Sequence, residues 1–352
     1  MEPAPLFEDI AFAPPGGAAW WLRADDGVRL RIGLWRPEGA RGTVLMFPGR
    51  TEFIEKYGDV AAHLVRCGLA MLAVDWRGQG LADRLTPDPM LGHVDRFTDY
   101  QRDVAAMLTA ARTLALPQPW YLLAHSMGGA IGLRAAMEGL PVAACAFSAP
   151  MWGIRIAGPL QPLAWSLSWV GRNLGLTRNY APGTGPDNYV LEAPFEGNLL
   201  TGDRDMYDRM IVQARTHPEL GLGGPGLHWL HEALRECLRL ARRPSPALPC
   251  LTLLGSEEGI VDVPRVHDRM AHWPGGRLRL VPGARHEVLM ESPDVHGRML
   301  DEICAFFHDS MARGTNRDPE TAAGFGRGRS GGVDGGGDGG RGGRATVGVP
   351  AR

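Results

Sequence analysis

Apolar residues recur along the chain in short runs that polar and glycine-rich segments separate. Positions 27–35 alternate between apolar and polar residues, as expected of a strand. Largely apolar runs, typical of strands buried on both faces, follow at 42–47, 70–74, 120–124, 143–147 and 250–254, and the segment 278–281 predicts a further strand. Apolar residues with the spacing of a helix face occur around 60–65, at 99–114, from Ser126 onward and at 294–310. This alternation of strands and helices predicts a mostly parallel sheet with helices on both faces.

The segment 151–246 interrupts this alternation. It has no buried-strand run and is rich in Trp, Pro, Gly and Arg. We interpret it as a helical insertion that covers the sheet edge where ligands usually bind, and thus as a cap or lid; the alternative is a subdomain without a role in the site. The predicted organisation is an N-terminal part of the core (1–150), the cap (151–246), a C-terminal part of the core (247–312) and a tail (313–352).

Composition narrows the classes of function. The formal net charge of −2 argues against a globally basic nucleic-acid binder. The tail holds 14 of the chain's 48 glycines, and such a segment cannot bury a core, so we expect it to be disordered. Its Arg-Gly repeats resemble RNA-contacting segments, but Asp334 and Asp338 dilute their charge. We therefore expect no nucleic-acid partner.

The cysteines and the chain start bear on the cellular compartment. The 5 cysteines are scattered and show no C-x-x-C spacing, which argues against a disulfide framework or a zinc site and favours a reducing compartment. No basic region precedes an apolar run at the N-terminus, and no continuously apolar stretch reaches the roughly 20 residues of a spanning helix. We expect a cytoplasmic protein whose only membrane contact is peripheral, at the inner face. Lys56 is the only lysine, so any Schiff-base chemistry would have to use it.

The segment from Ala124 to Gly129, Ala-His-Ser-Met-Gly-Gly, lies where a predicted strand ends and a predicted helix begins. Small-x-Ser-x-Gly in this position is the nucleophile-elbow pattern, in which a strained turn exposes a serine hydroxyl above the sheet. Ala124 stands where a glycine is usual. The pattern predicts Ser126 as a nucleophile.

A serine nucleophile needs a base and a carboxylate that orients it. His286 follows the strand 278–281 and Asp262 follows the strand 250–254, so the two side chains come from neighbouring loops. We predict His286 as the base and Asp262 as the acid. Other candidates remain: Glu257 or Glu258 for the acid, and His267, His272 or His296 for the base.

The negative oxygen of a tetrahedral intermediate needs backbone N–H donors. The residue after the nucleophile, Met127, supplies one, and the loop after the strand 42–47 should supply the other. Gly49 allows this loop to turn sharply, so we predict the amide of Arg50 as the second donor of the oxyanion hole.

Taken together, five segments resemble the α/β-hydrolase superfamily: Phe-Pro-Gly-Arg-Thr-Glu at 47–52, Asp-Trp-Arg-Gly-Gln-Gly at 75–80, the elbow, Ser-Ala-Pro-Met at 148–151 and Gly-Ala-Arg-His-Glu at 283–287. Within it the chain is most similar to the bacterial lysophospholipase L2 branch, close to monoacylglycerol lipases. Those lipases usually have His-Gly where this chain has Pro48-Gly49. The segment 197–201, Gly-Asn-Leu-Leu-Thr, looks like part of that branch's lid. The resemblance covers roughly residues 20–310.

The resemblance implies an α/β-hydrolase fold with a helical lid, and a serine esterase that needs neither cofactor nor metal. Its substrates would be lysophospholipids or, alternatively, monoacylglycerols or general carboxylic esters. We expect the acyl chain to contact the lid near Leu163, Trp165, Leu167 and Trp169. An inactive hydrolase-fold binding protein is the non-enzymatic alternative. Arg50 and Arg77 offer guanidinium groups for a phosphodiester, although pairing with carboxylates such as Glu52 or Asp75 is the favoured interpretation.

Overall fold

The structure is a computed structural model that describes residues 1–155 and 179–315. Residues 1–314 form one unit. Its strands are β1 (Glu2–Pro3), β2 (Ala18–Arg23), β3 (Arg29–Trp35), β4 (Thr43–Phe47), β5 (Ala70–Asp75), β6 (Trp120–His125), β7 (Ala144–Ser148), β8 (Cys250–Gly255) and β9 (Arg277–Val281). All belong to one sheet in the order β1-β2-β3-β5-β4-β6-β7-β8-β9.

The sheet is parallel from β5 through β4, β6, β7 and β8 to β9. The pairs β1–β2, β2–β3 and β3–β5 are antiparallel. The prediction of a mostly parallel sheet is confirmed. The first two strands were not predicted, because Ala18–Arg23 lacks a regular apolar alternation and its exposed and buried positions do not simply alternate.

The helices α1 to α9 are Glu8–Ala11, Gly58–Arg66, Tyr100–Thr113, Ser126–Met137, Tyr189–Glu192, Arg204–Thr216, Leu227–Ala241, Val263–Ala271 and Pro293–Thr315, in chain order. They cover both faces of the sheet. Alternate residues of a buried strand point to opposite faces, so Leu45 and Phe47 of β4 pack in one apolar cluster while Val44 and Met46 pack in the other. Helices α3 and α4 contribute to the first cluster, and α2 and α9 to the second.

The described part of the segment 151–246 carries α5, α6 and α7 between β7 and β8, and no strand. This agrees with a helical insertion, and its function as a lid stays a prediction. Leu163, Trp165, Leu167 and Trp169 lie outside the described residues, as do residues 316–352 of the tail. Within the described residues, no helix is both long enough and apolar enough to span a membrane.

Candidate active site

Ser126 lies in the tight turn between β6 and α4. Its backbone φ is +48°, a left-handed conformation that is uncommon for residues other than glycine. The following glycines make the turn possible, because a Cβ at Gly128 would lie 2.1 Å from Phe47 O and one at Gly129 would lie 2.6 Å from Pro150 Cβ. The local geometry is that of a strained strand-to-helix turn that presents the serine hydroxyl.

His286 connects the serine to a buried carboxylate. Its Nε2 atom lies 2.9 Å from Ser126 Oγ, and its Nδ1 atom lies 2.8 Å from Glu258 Oε2. His286 and Glu258 lie in the loops that follow β9 and β8, which are adjacent strands of the sheet. With the ring proton on Nδ1, the imidazole donates to Glu258 and accepts from Ser126. This arrangement can deprotonate the serine hydroxyl.

The structure corrects the position of the acid. Asp262, which we predicted, is the N-cap of α8, and its carboxylate accepts a hydrogen bond from the backbone N–H of Arg265 at 3.2 Å. Both nitrogens of His286 already have partners, and Glu258 is the carboxylate that contacts Nδ1. The sequence contained a signal for this: Asp262 precedes Pro264 at a helix start, which is an N-cap pattern.

Glu258 is held in its charged form. Its side chain is fully buried, and burial raises the pKa of the carboxyl group. Hydrogen bonds from His286 and from the backbone N–H groups of Ile260 and Val261 outweigh burial, so the pKa lies below the ordinary value. A carboxylate that stays charged beside Nδ1 favours the imidazolium that would form during catalysis.

The loop predicted to carry the oxyanion hole is fixed by side chains. Gly49 N–H donates to Glu52, while Gln79 Nε2 donates to the carbonyl oxygens of Gly49 and Glu52 at 2.8 and 3.0 Å. Trp76 Nε1 donates to Pro48 O at 2.9 Å. Hydrogen bonds therefore hold the backbone on both sides of Arg50 in place, as an oxyanion hole requires. The assignment of the Arg50 and Met127 amides as its donors stays a prediction.

A second buried group, which we call the Lys56 cluster, consists of Lys56, Glu52, Glu287 and His125. Lys56 Nζ lies 2.6 Å from Glu52 Oε1 and 2.7 Å from Glu287 Oε1. His125 Nε2 lies 3.4 Å from Glu287 Oε2, and the ring centroids of His125 and His286 are 4.9 Å apart. The cluster therefore borders the catalytic histidine candidate. The cluster was not predicted from the sequence, although the single lysine was a signal.

The charges of the Lys56 cluster depend on one another. Burial alone would raise the pKa of Glu287, but the cations Lys56 and His125 hold it well below its ordinary value. Burial lowers the pKa of Lys56, and the two carboxylates more than reverse this. The oxygens of Glu52 and Glu287 and a ring nitrogen of His125 lie close enough to hold a metal ion. The Lys56 ammonium, in contact with both carboxylates, already supplies a cation there, and a protonated amine is a poor Schiff-base nucleophile.

A cavity of about 580 Å³ opens beside Ser126 and His286. The insertion forms part of its wall, which includes Leu199, Leu200 and Trp229 of α7. The carbonyl oxygen of Leu199 accepts a hydrogen bond from the backbone N–H of His286 at 3.3 Å. The carbonyl oxygen of Leu200 accepts one from the backbone N–H of Glu287 at 2.7 Å. The segment 197–201 thus lies directly against the histidine loop.

Comparisons with known proteins identify the family. A family model described as "Serine aminopeptidase, S33" matches residues 38–293. Lysophospholipase L2 of Escherichia coli (strain K12) is 35% identical over 308 residues, covering 84% of this chain and 88% of that protein. The chain belongs to this α/β-hydrolase family. The monoglyceride lipase of Rattus norvegicus is 26% identical, with coverage of 79% and 86%.

Among solved structures, a soluble variant of monoglyceride lipase from Saccharomyces cerevisiae superposes with a TM-score of 0.65. It is 18% identical, and the match covers 82% of this chain and 94% of that one, which supports the shared fold. For this α/β-hydrolase, the predicted fold and the predicted class of ester-hydrolysing enzyme are confirmed by the family and its relatives.

The two arginines singled out from the sequence differ in this α/β-hydrolase. Arg77 pairs with Asp26 and Asp103, both at 2.7 Å. This is the structural role that we favoured, although the predicted partners were Glu52 or Asp75. Arg50 contacts no carboxylate among the described residues. Its Nη2 donates to Gly223 O, and its guanidinium lies 5.3 Å from the centroid of the Trp229 ring.

Proposed function

We propose that this α/β-hydrolase releases a fatty acid from acyl esters of glycerol, with lysophospholipids as the principal substrates. The observation that carries the proposal is the position of His286 between Ser126 and Glu258 beside a cavity of about 580 Å³. A cavity of this size is in the range of small-molecule sites. The relatives that carry the names lysophospholipase L2 and monoglyceride lipase support the substrate class.

The proposed reaction is a double displacement. Ser126 Oγ attacks the ester carbonyl carbon while His286 Nε2 takes the hydroxyl proton, and the Arg50 and Met127 amides stabilise the oxyanion. The intermediate collapses, the acyl–oxygen bond breaks and His286 gives the proton to the leaving glycerol oxygen. Water, deprotonated by His286, then attacks the acyl-enzyme. The fatty acid leaves and Ser126 recovers its proton. No cofactor or metal is part of this proposal.

We propose the segment 151–246 as the cap of this site, through which the enzyme would contact the surface of a lipid bilayer. The apolar side chains of Leu199, Leu222 and Trp229 on the cavity wall support an acyl chain at this position. Sedimentation with lipid vesicles would test the peripheral contact.

Purified protein should be assayed on lysophospholipids, monoacylglycerols, short esters and aminoacyl arylamides. The arylamides are included because the family description names an aminopeptidase. We expect the highest kcat/KM for a long-chain lysophospholipid. A higher value for the monoacylglycerol of equal chain length would favour the lipase alternative. The absence of turnover on every ester would favour the inactive binding protein and contradict the proposal.

A further inference from the structure

The side chain of Arg50 lies on the wall of the catalytic cavity with most of its hydrogen-bonding capacity unused. A guanidinium group carries five N–H donors. Within the part of the chain that the structure describes, the only hydrogen-bond acceptor for this side chain is Gly223 O. The Nε atom is buried and has no partner among the same residues. Trp229 lies against the guanidinium at 5.3 Å and stabilises its charge without accepting a conventional hydrogen bond.

No carboxylate of the described residues compensates this charge. Burial lowers the pKa of Arg50 to about 10, and the nearby polar groups that act on it are the phenols of Tyr100 and Tyr180, which are neutral at pH 7. Arg31 and Arg77, in contrast, each contact two carboxylates. A cation that is withdrawn from water without a counter-ion is costly, so its position calls for an anionic ligand.

The charges of the other residues on the cavity wall favour an anion at Arg50 over other positions. Lys56 also lines the cavity, but Glu52 and Glu287 neutralise it. Asp187 and Glu192 line the wall as well and would repel an anion. Among the described residues on this wall, Arg50 is the permanent cation that lacks a carboxylate partner.

Anchoring of a loop does not account for Arg50 by itself. Arg84 also has no carboxylate partner in the part of the chain that the structure describes, and it holds the same loop. It donates, however, to three carbonyl oxygens, those of Gly78, Glu219 and Gly221, at 2.8, 3.2 and 2.9 Å. It does not line the cavity. Arg84 is therefore a counterpart of Arg50 with more of its hydrogen-bonding capacity used, and it provides a matched control.

We propose that the Arg50 guanidinium binds the phosphodiester of a lysophospholipid whose ester carbonyl lies at Ser126. Arginine forms charge-assisted, often bidentate hydrogen bonds with phosphate oxygens. Only a glycerol backbone separates the ester from the phosphate in such a lipid. Arg50 would then contribute its amide to the oxyanion hole and its side chain to the head group. This inference rests on the proposed function and adds a residue that selects phospholipid over neutral glyceride.

The first test compares two substrates of equal acyl chain, a palmitoyl lysophosphatidylcholine and a palmitoyl monoacylglycerol. In Arg50→Met, the ratio of their kcat/KM values should fall by about 10- to 100-fold, the range expected for the loss of a hydrogen bond between charged groups. Arg50→Lys should recover part of the ratio, because lysine still binds phosphate as a point charge. In Arg84→Met, both substrates should change in parallel. Equal losses on both substrates in Arg50→Met would overturn the inference.

The second test does not depend on turnover. Calorimetry on Ser126→Ala should show that the ether analogue hexadecyl-glycerophosphocholine binds more tightly than hexadecylglycerol, and that Arg50→Met removes this difference. If the difference survives Arg50→Met, the inference fails although the proposed function stands. If no ester is hydrolysed but the difference depends on Arg50, the inference stands and the proposed function fails. Inorganic phosphate binding with the same dependence on Arg50 would assign the site to a free anion and contradict the lipid assignment.

Discussion

Two buried groups of charged side chains lie next to each other and use nearly the same residue types. In the group that we call the Arg31 cluster, Arg31 contacts Glu55 and Asp75, each at 2.7 Å. In the Lys56 cluster, Lys56 contacts Glu52 and Glu287 at 2.6 and 2.7 Å. Glu55 and Lys56 are adjacent in the short helical turn Ile54–Tyr57, and each belongs to a different cluster.

The surroundings of the two clusters differ. Asp75 also accepts hydrogen bonds from the backbone N–H groups of Ile54 and Leu81, and Glu55 accepts one from Phe7, so the Arg31 cluster joins chain segments. None of its three side chains lines the cavity, whereas Lys56, Glu52, Glu287 and His125 all do. The same chemistry thus joins chain segments in one place and lines the cavity beside Ser126 and His286 in the other. Substitutions should separate the two roles.

The largest effect is expected on the catalytic side, at Glu258. Glu258→Gln should lower kcat by about 10³- to 10⁴-fold, because His286 loses the carboxylate that fixes its tautomer and stabilises its charged form. The free energy of unfolding should change much less than the activity. Steady-state kinetics on a soluble ester and urea unfolding would measure the two quantities.

Asp262→Asn is the matched control for Glu258→Gln. Asparagine is a good helix N-cap, so α8 should keep its capping hydrogen bond and kcat should stay within a few-fold of the original value. The opposite pattern, a large loss in Asp262→Asn and a small one in Glu258→Gln, would restore the acid that we predicted from the sequence and contradict the geometry of the site.

The next largest effect is expected in the Arg31 cluster and concerns stability. Arg31→Met leaves two buried carboxylates without their cation and should reduce the free energy of unfolding by about 3–5 kcal/mol. The control is Arg29→Met on the same strand, because Arg29 and its partner Asp83 are both about 40% exposed. Such a surface pair contributes about 0–1 kcal/mol. Equal losses in the two variants would show that the Arg31 cluster does not stabilise the fold as described.

The smallest effect is the pH dependence of the Lys56 cluster. The pKa of Glu287 is well below its ordinary value of 4.5, so its contribution to stability is complete above about pH 4.5 and is lost as the pH falls toward the depressed value. Between pH 4.5 and 3, the free energy of unfolding should therefore fall less steeply in Glu287→Gln than in the original protein. The difference between the two slopes should be up to about 1.4 kcal/mol per pH unit. Parallel curves for the variant and the original protein would contradict this electrostatic account.

Much of the sheet could be predicted from the sequence because its central strands are buried on both faces. Runs such as 42–47 and 120–124 contain almost only apolar residues, and β4 and β6 are found there. The first two strands, β1 and β2, escaped prediction because β1 has two residues and β2 is only partly buried. Burial on both faces leaves a clear pattern in the sequence, and burial on part of one face does not.

The site could be predicted only in part, for a similar reason. Ser126 and His286 follow strand ends within distinctive local patterns, and the structure brings their side chains to 2.9 Å. The choice between Glu258 and Asp262 depends on how the loop after β8 turns, which residue types do not specify. The unpaired state of Arg50 depends on what surrounds it from distant segments, including Gly223 and Trp229. Such contacts are a property of the folded chain.

The central claim is that Ser126 is a nucleophile activated by His286 and Glu258. The most direct measurement is labelling of the intact protein with a fluorophosphonate probe, followed by mass spectrometry of its peptides. We predict one equivalent of probe on the peptide that contains Ser126, slower labelling in Glu258→Gln and none in Ser126→Ala. Labelling of another residue, or undiminished labelling of Ser126→Ala, would contradict the claim.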